Sequence, residues 1–152
     1  MRVLQDGLDA AISGADRMIE GWLRSESAKA LLGRGEQDRA EQEAEAAVAI
    51  SRVQHSRYEE ARGALALVQV LLCRADAHEL TRVDDALERV QALIAETGAK
   101  SFHPDVREYQ GRLAAMRGDA QAAEKAFEDA RRLYTVIGAP LRVARLNAQT
   151  TI

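Results

Sequence analysis

The chain has 152 residues, 47% of them hydrophobic and 4% aromatic, with two prolines, one cysteine and a formal net charge of −3. That is one domain's worth of chain, long enough for a continuous apolar seam, and its acids and bases are interspersed, leaving no basic stripe for counterion release from DNA or RNA. No run of about 18 apolar residues offers a bilayer span and no basic-then-apolar leader opens the chain, so we expect a soluble, cytoplasmic protein with neither membrane nor direct nucleic acid among its partners.

In chain order, residues 3–13 predict a helix ending at Gly14, which reads as the second helix of a preceding pair. A first helix follows over 17–33 and stops at Arg34-Gly35-Glu36. The helix after it carries Ala40, Ala44, Ala47 and Ile50 at steps of four, three and three, which put all four on one face. It ends near His55. The next first helix, 57–74, runs to Arg74-Ala75-Asp76; the turn through Ala77-His78-Glu79 is longer, and the seam resumes as Val83, Leu87, Val90 and Leu93 before Gly98. A third pair has its first helix over 104–117, the turn Arg117-Gly118-Asp119, the seam Ala123, Phe127, Ala130 and Leu133, and the joint Gly138. Pro140 then suits the first turn of a last helix, 140–149.

Both sets of joints recur about every 40 residues, which means two helices per repeat. No sustained polar and apolar alternation points to a strand. The expected fold is all-α, a right-handed superhelix of antiparallel helix pairs in one domain over 1–152: a half repeat 3–13, repeats of about 16–54, 56–97 and 103–137, and a terminal half repeat 140–149. Half repeats at both ends leave the seam uncovered, so a longer parent protein or self-association is expected.

Gly111, Gly118, Asp119, Ala123, Phe127 and Ala130 stand at the spacing of the tetratricopeptide repeat, with a small residue at a helix crossing, a Gly-Asp turn, then Ala, aromatic and Ala. The third unit resembles that family, as does the first through Ala28, Gly35, Ala40, Ala44 and Ala47. The family's standard period is about 34. The longer period here, with the joint Gly138-Ala139-Pro140, looks like the degenerate repeats of large bacterial regulators that carry ATPase, adenylate cyclase or helix-turn-helix domains. Helical pairs of the HEAT kind share the period and are the architectural alternative. No Gly-x-x-x-x-Gly-Lys-Ser/Thr loop is present.

The resemblance implies a non-enzymatic scaffold that binds a protein or peptide in a groove lined by the first helices; a homo-oligomerising module is the alternative. Counting back from each turn, it places Trp22, Ser25 and Lys29, then Arg62, Leu65 and Gln69, then Asp105, Glu108 and Arg112 toward that groove. Trp22 shares a helix face with Met18, Ile19 and Leu23, and so either anchors a partner or packs on the 3–13 helix. Tyr58, Tyr109 and Tyr134 read as wedges between units.

Elsewhere the chemistry is sparse. His55, His78 and His103 fall at separate joints with no i, i+4 pair, and Cys73 has no companion, so no metal or other cofactor is expected. The run Leu71-Leu72-Cys73 points to a buried thiol. Glu41, Glu43 and Glu45 alternate and read as a solvated face. His103-Pro104-Asp105 reads as a helix start, and Arg117-Gly118-Asp119, though it spells an adhesion tripeptide, as a repeat turn. No nucleophile, base and acid set emerges.

Overall fold

The computed structural model describes residues 2–14, 16–74 and 77–149. Ala75 and Asp76 of the middle turn, and the side chain of His78, lie outside the described residues. Among those described, regular structure is helical throughout, and the chain divides into two compact units, Met1–Ala99 and Lys100–Ile152.

The first unit holds α1 (Arg2–Ser13), α2 (Arg17–Leu32), α3 (Gln37–Val53), α4 (Arg57–Leu71) and α5 (Ala77–Thr97). Each helix packs on the next, and α2 also packs on α4. Asp16 starts α2 by accepting a hydrogen bond from the Ile19 amide at 3.1 Å, which satisfies one of the first turn's spare N–H groups. The core is built in layers: Leu8, Ala11 and Leu23; Ala28, Ala44 and Ala66; Leu31, Ala40 and Val70. Small side chains let the helices approach closely. A Cβ on Gly63 would stand 3.1 Å from the Val48 amide nitrogen, so the α3–α4 crossing is set at backbone contact.

The second unit holds a short 3₁₀ turn, Lys100–Phe102, then α6 (His103–Met116), α7 (Ala120–Val136) and α8 (Pro140–Gln149). Asp119 caps α7 by accepting from the Ala122 amide at 2.9 Å. Ala130, Tyr134 and Leu146 form the core, with Phe127, Ala139 and Val143 packed against it. Gly111 is where α6 meets the Phe127 ring: a Cβ there would lie 2.7 Å from it.

Of the twelve expected seam positions, nine are buried, while Ile50, Phe127 and Leu133 are half-buried. The joints are left-handed where the spacing implied it, at Gly35, Gly98, Gly118 and Gly138, with His55 the one described non-glycine at positive φ (52°). Gly14 does not share that geometry.

Two expectations need correction. Cys73 is exposed, because α4 ends at Leu71 and the Leu72–Arg74 turn carries residue 73 away from the core while Leu71 and Leu72 stay in it. The acids of α3 are not a free solvated face. Glu43 reaches back to Arg24 on α2 at 2.9 Å, and Glu41 and Glu45 converge on Arg82 of α5 at 2.7 and 2.8 Å.

Candidate functional site

The nine residues assigned to a groove fall into three sets of equivalents, and the structure sorts them by set. Trp22 is exposed, while Arg62 and Asp105 are half-buried; Lys29, Gln69 and Arg112 are all half-buried. The middle set, Ser25, Leu65 and Glu108, is buried in every case. The middle positions face the packed side of the helix and present no surface. Ser25 satisfies its buried hydroxyl by donating it to the Gly21 carbonyl at 3.1 Å.

On α2 the apolar residues split between two faces. Leu23 turns inward against Leu8 and Ala11 of α1, close to Gly7, where an added Cβ would meet its Cδ1 at 3.5 Å. Met18, Ile19 and Trp22 stay outward, 63%, 42% and 43% exposed. At i, i+1 and i+4 they form one patch on the first turns of the helix. Further along, Lys29 pairs with Glu26 at 2.7 Å. On the neighbouring α4, Arg62 lies over the Tyr58 ring, 5.4 Å from its centroid, and pairs with Glu59 at 3.1 Å. This α2–α4 surface therefore combines an apolar patch with paired charges.

In the second unit the assigned polar residues bind their own chain. Glu108, with 0% exposure, accepts from Arg112 at 2.6 Å, from Arg145 of α8 at 2.8 Å and from the Tyr134 hydroxyl of α7 at 2.8 Å. The same hydroxyl lies 2.9 Å from Asp105 Oδ1, so its single proton is shared between two carboxylates. Burial pushes the Tyr134 phenol far up, and the charges of Asp105 and Glu108 push it further. It remains a protonated donor and no base. Arg142 stands 3.6 Å from Asp105, where the cost of its burial is outweighed by that carboxylate and its neighbours. Every acid of this cluster faces a guanidinium, so the cluster ties α6, α7 and α8 together.

Besides Glu79, which pairs with Arg82 at 2.9 Å, two further buried acids occur in the first unit, Glu20 and Glu60. Glu20 and Glu60 each occupy the fourth residue of a first helix, and each has an arginine three residues earlier, Arg17 at 3.5 Å and Arg57 at 3.7 Å. Arg24 bridges Glu20 to Glu43. Glu60, 1% exposed, accepts from Arg52 Nε at 2.8 Å and from two nitrogens of Arg89 at 2.9 and 3.0 Å. Burial pushes its carboxyl up, but the bonds from Arg89 and Arg52 outweigh that and hold it below the ordinary value. Arg17-x-x-Glu20 and Arg57-x-x-Glu60 recur 40 residues apart, but the pattern alone carries no mark of burial.

Among the described residues, no group of three or more His, Cys, Asp and Glu is placed to hold a metal ion, and no helix is long and apolar enough to cross a membrane. No family model matches the chain, and no curated protein matches it.

Proposed function

We propose that the chain is a non-enzymatic scaffold of tetratricopeptide-like helix pairs, a module of a bacterial regulatory protein acting in the cytoplasm, that binds a peptide or partner domain on the α2–α4 surface. The observation that supports this is the division of labour on α2. Leu23 takes the packing against α1, and Trp22 is left outward beside Met18 and Ile19. Aromatic residues flanked by apolar neighbours and paired charges are the usual anchors of protein interfaces. The saturated acid clusters supply rigidity to such a surface rather than a reactive group. The experiment is selection of binders from a displayed peptide library on the 1–152 chain. Trp22→Ala and Lys29→Glu are expected to weaken the selected peptides at least tenfold with helicity unchanged; peptides that bind both variants as well as the parent would refute the assignment.

Homo-oligomerisation is the second reading, favoured by Val3 on α1 and Leu141 on α8, each 84% exposed. Leu8 and Leu146 on the same two helices are buried in their own units, with Leu4 and Val143 packed beside them. Charging Leu8 or Leu146 would unfold a unit. Val3→Asp and Leu141→Asp are the informative substitutions, and a species heavier than the 16.7 kDa chain that both convert to monomer would favour this reading.

A further inference from the structure

We propose that the cleft between α3 and α5 is a second docking groove, for an amphipathic helix of a partner protein whose first turn is acidic, whose middle is apolar and whose last turn is basic. Its lining residues are other than those of the α2–α4 patch. Helices α3 and α5 both pack on α4, and between them lies a cavity of about 260 Å³ with α4 as its floor. Three stripes line it. On α4 the residues Ala64, Leu67 and Leu71 run between Glu60 at one end and Arg74 at the other. On α3 it is lined by Val48 and Arg52, with Glu41 and Glu45 up to two turns further along and paired with Arg82; on α5 it is lined by Arg82, Asp85, Ala86 and Arg89. Steps of three and four keep Ala64, Leu67 and Leu71 on one face of α4, and Arg82, Ala86 and Arg89 on one face of α5.

The two ends of the cleft differ in sign. Among the described residues, the ion pairs at one end join four acids, Asp38, Glu41, Glu45 and Glu79, to two arginines, Arg74 and Arg82. Negative charge is in excess there. At the other end the ion pairs among the described residues join three arginines, Arg52, Arg57 and Arg89, to two acids, Glu60 and Glu96. Positive charge is in excess there, and Arg52 uses only its Nε on Glu60. Asp85, exposed on the α5 wall, lines the cleft between the two ends.

This polarity fixes both the kind of occupant and its direction. At 1.5 Å per residue, Ala64 to Leu71 spans about 10 Å, the rise between anchors i and i+7 of a bound helix, and Glu60 to Leu71, where α4 ends, spans about 16 Å, or roughly three helical turns. An occupant helix with acids in its first turn and bases in its last, which its own dipole already favours, lays the acids over Arg52, Arg57 and Arg89. Its bases then fall over Glu41 and Glu45, and its apolar anchors enter the middle.

The test uses the 1–152 chain and two fluorescein-labelled peptides of about 16 residues, followed by anisotropy. The forward peptide has two glutamates in its first turn, three leucines at i, i+4 and i+7 and two lysines in its last turn; the reversed peptide exchanges glutamates and lysines. The forward peptide is expected to bind about tenfold tighter. Arg52→Ala and Glu45→Ala should each weaken it about threefold and narrow the preference, which a difference in the peptides' own helicity would not do. Ala86→Arg, which fills the cleft from a half-exposed position, should abolish binding, with circular dichroism of each variant showing the fold retained. Equal affinity for both peptides, a preference unchanged in the Arg52 and Glu45 variants, or no saturable binding would overturn the proposal. A concentration-dependent dimer that Ala86→Arg converts to monomer would overturn it too, in favour of a second copy as the occupant.

Discussion

Replacing Glu60 by glutamine tests the buried charge network most sharply, because it keeps volume and one acceptor oxygen while removing the charge. The carboxylate is 1% exposed and takes one hydrogen bond from Arg52 and two from Arg89, all between 2.8 and 3.0 Å. A hydrogen bond to a charged group contributes about 1.5–3 kcal/mol. The arginines are between a third and three fifths exposed, however, and regain water when released, so the discounted loss is about 2 kcal/mol in total. With a typical urea slope this moves the midpoint down by about 1 M at pH 7. The pH dependence has a definite sign. Glu60 is held below its ordinary value in the folded chain, so its contribution is complete above the unfolded value of about 4.3. It is lost as the pH falls through the lower, folded value. The difference between parent and Glu60→Gln, followed by circular dichroism in urea from pH 7 down to pH 3, is therefore expected to shrink as acid neutralises the parent. A difference that stays constant across that range, or one below about 0.5 kcal/mol at pH 7, would refute the reasoning.

Gly63→Ala should lower the urea midpoint although alanine is the better helix former, since its Cβ would lie 3.1 Å from the Val48 nitrogen and 3.3 Å from the Ala47 carbonyl carbon. Backbone atoms cannot step aside, and overpacking of about 1–3 kcal/mol exceeds the roughly 1 kcal/mol of helix propensity gained. His55→Gly is expected to stabilise by up to about 1 kcal/mol in the same assay, because His55 holds φ at 52° where Gly98 and Gly138 serve the matching joints. Cys73 should react with Ellman's reagent in the native chain at a rate close to that in urea; protection of more than about a hundredfold would restore the buried thiol read from the sequence.

Helix boundaries and joints were legible because each is set by local chemistry. A left-handed residue ends a helix, an acid or proline starts the next, and alanine at steps of three and four marks the buried face. What the sequence concealed is direction around the first helices. Trp22, Leu23 and Ser25 lie within one turn of α2, and which of them faces α1 depends on where α1 sits, a tertiary fact without a local signature. That is why Ser25, Leu65 and Glu108 could be equivalent by count and all turn inward. Burial of Glu20, Glu60 and Glu108 was hidden for a related reason. A carboxylate enters a core only when several guanidiniums converge on it, and Arg89 and Arg145 reach their acids from helices 29 and 37 residues away in sequence. Cys73 was misread because the apolar run Leu71-Leu72-Cys73 crosses a helix end, where periodicity stops applying.

The central claim is that the outward face of α2 is a binding surface, and Trp22, the chain's only tryptophan, reports on it directly. Acrylamide quenching of its emission should be measured on the 1–152 monomer, alone and with a peptide selected on that chain. We expect efficient quenching in the free chain, with shielding and a blue shift when the peptide binds. An indole already shielded in the free monomer, or one whose quenching is unmoved by saturating peptide, would contradict the account and return Trp22 to the core.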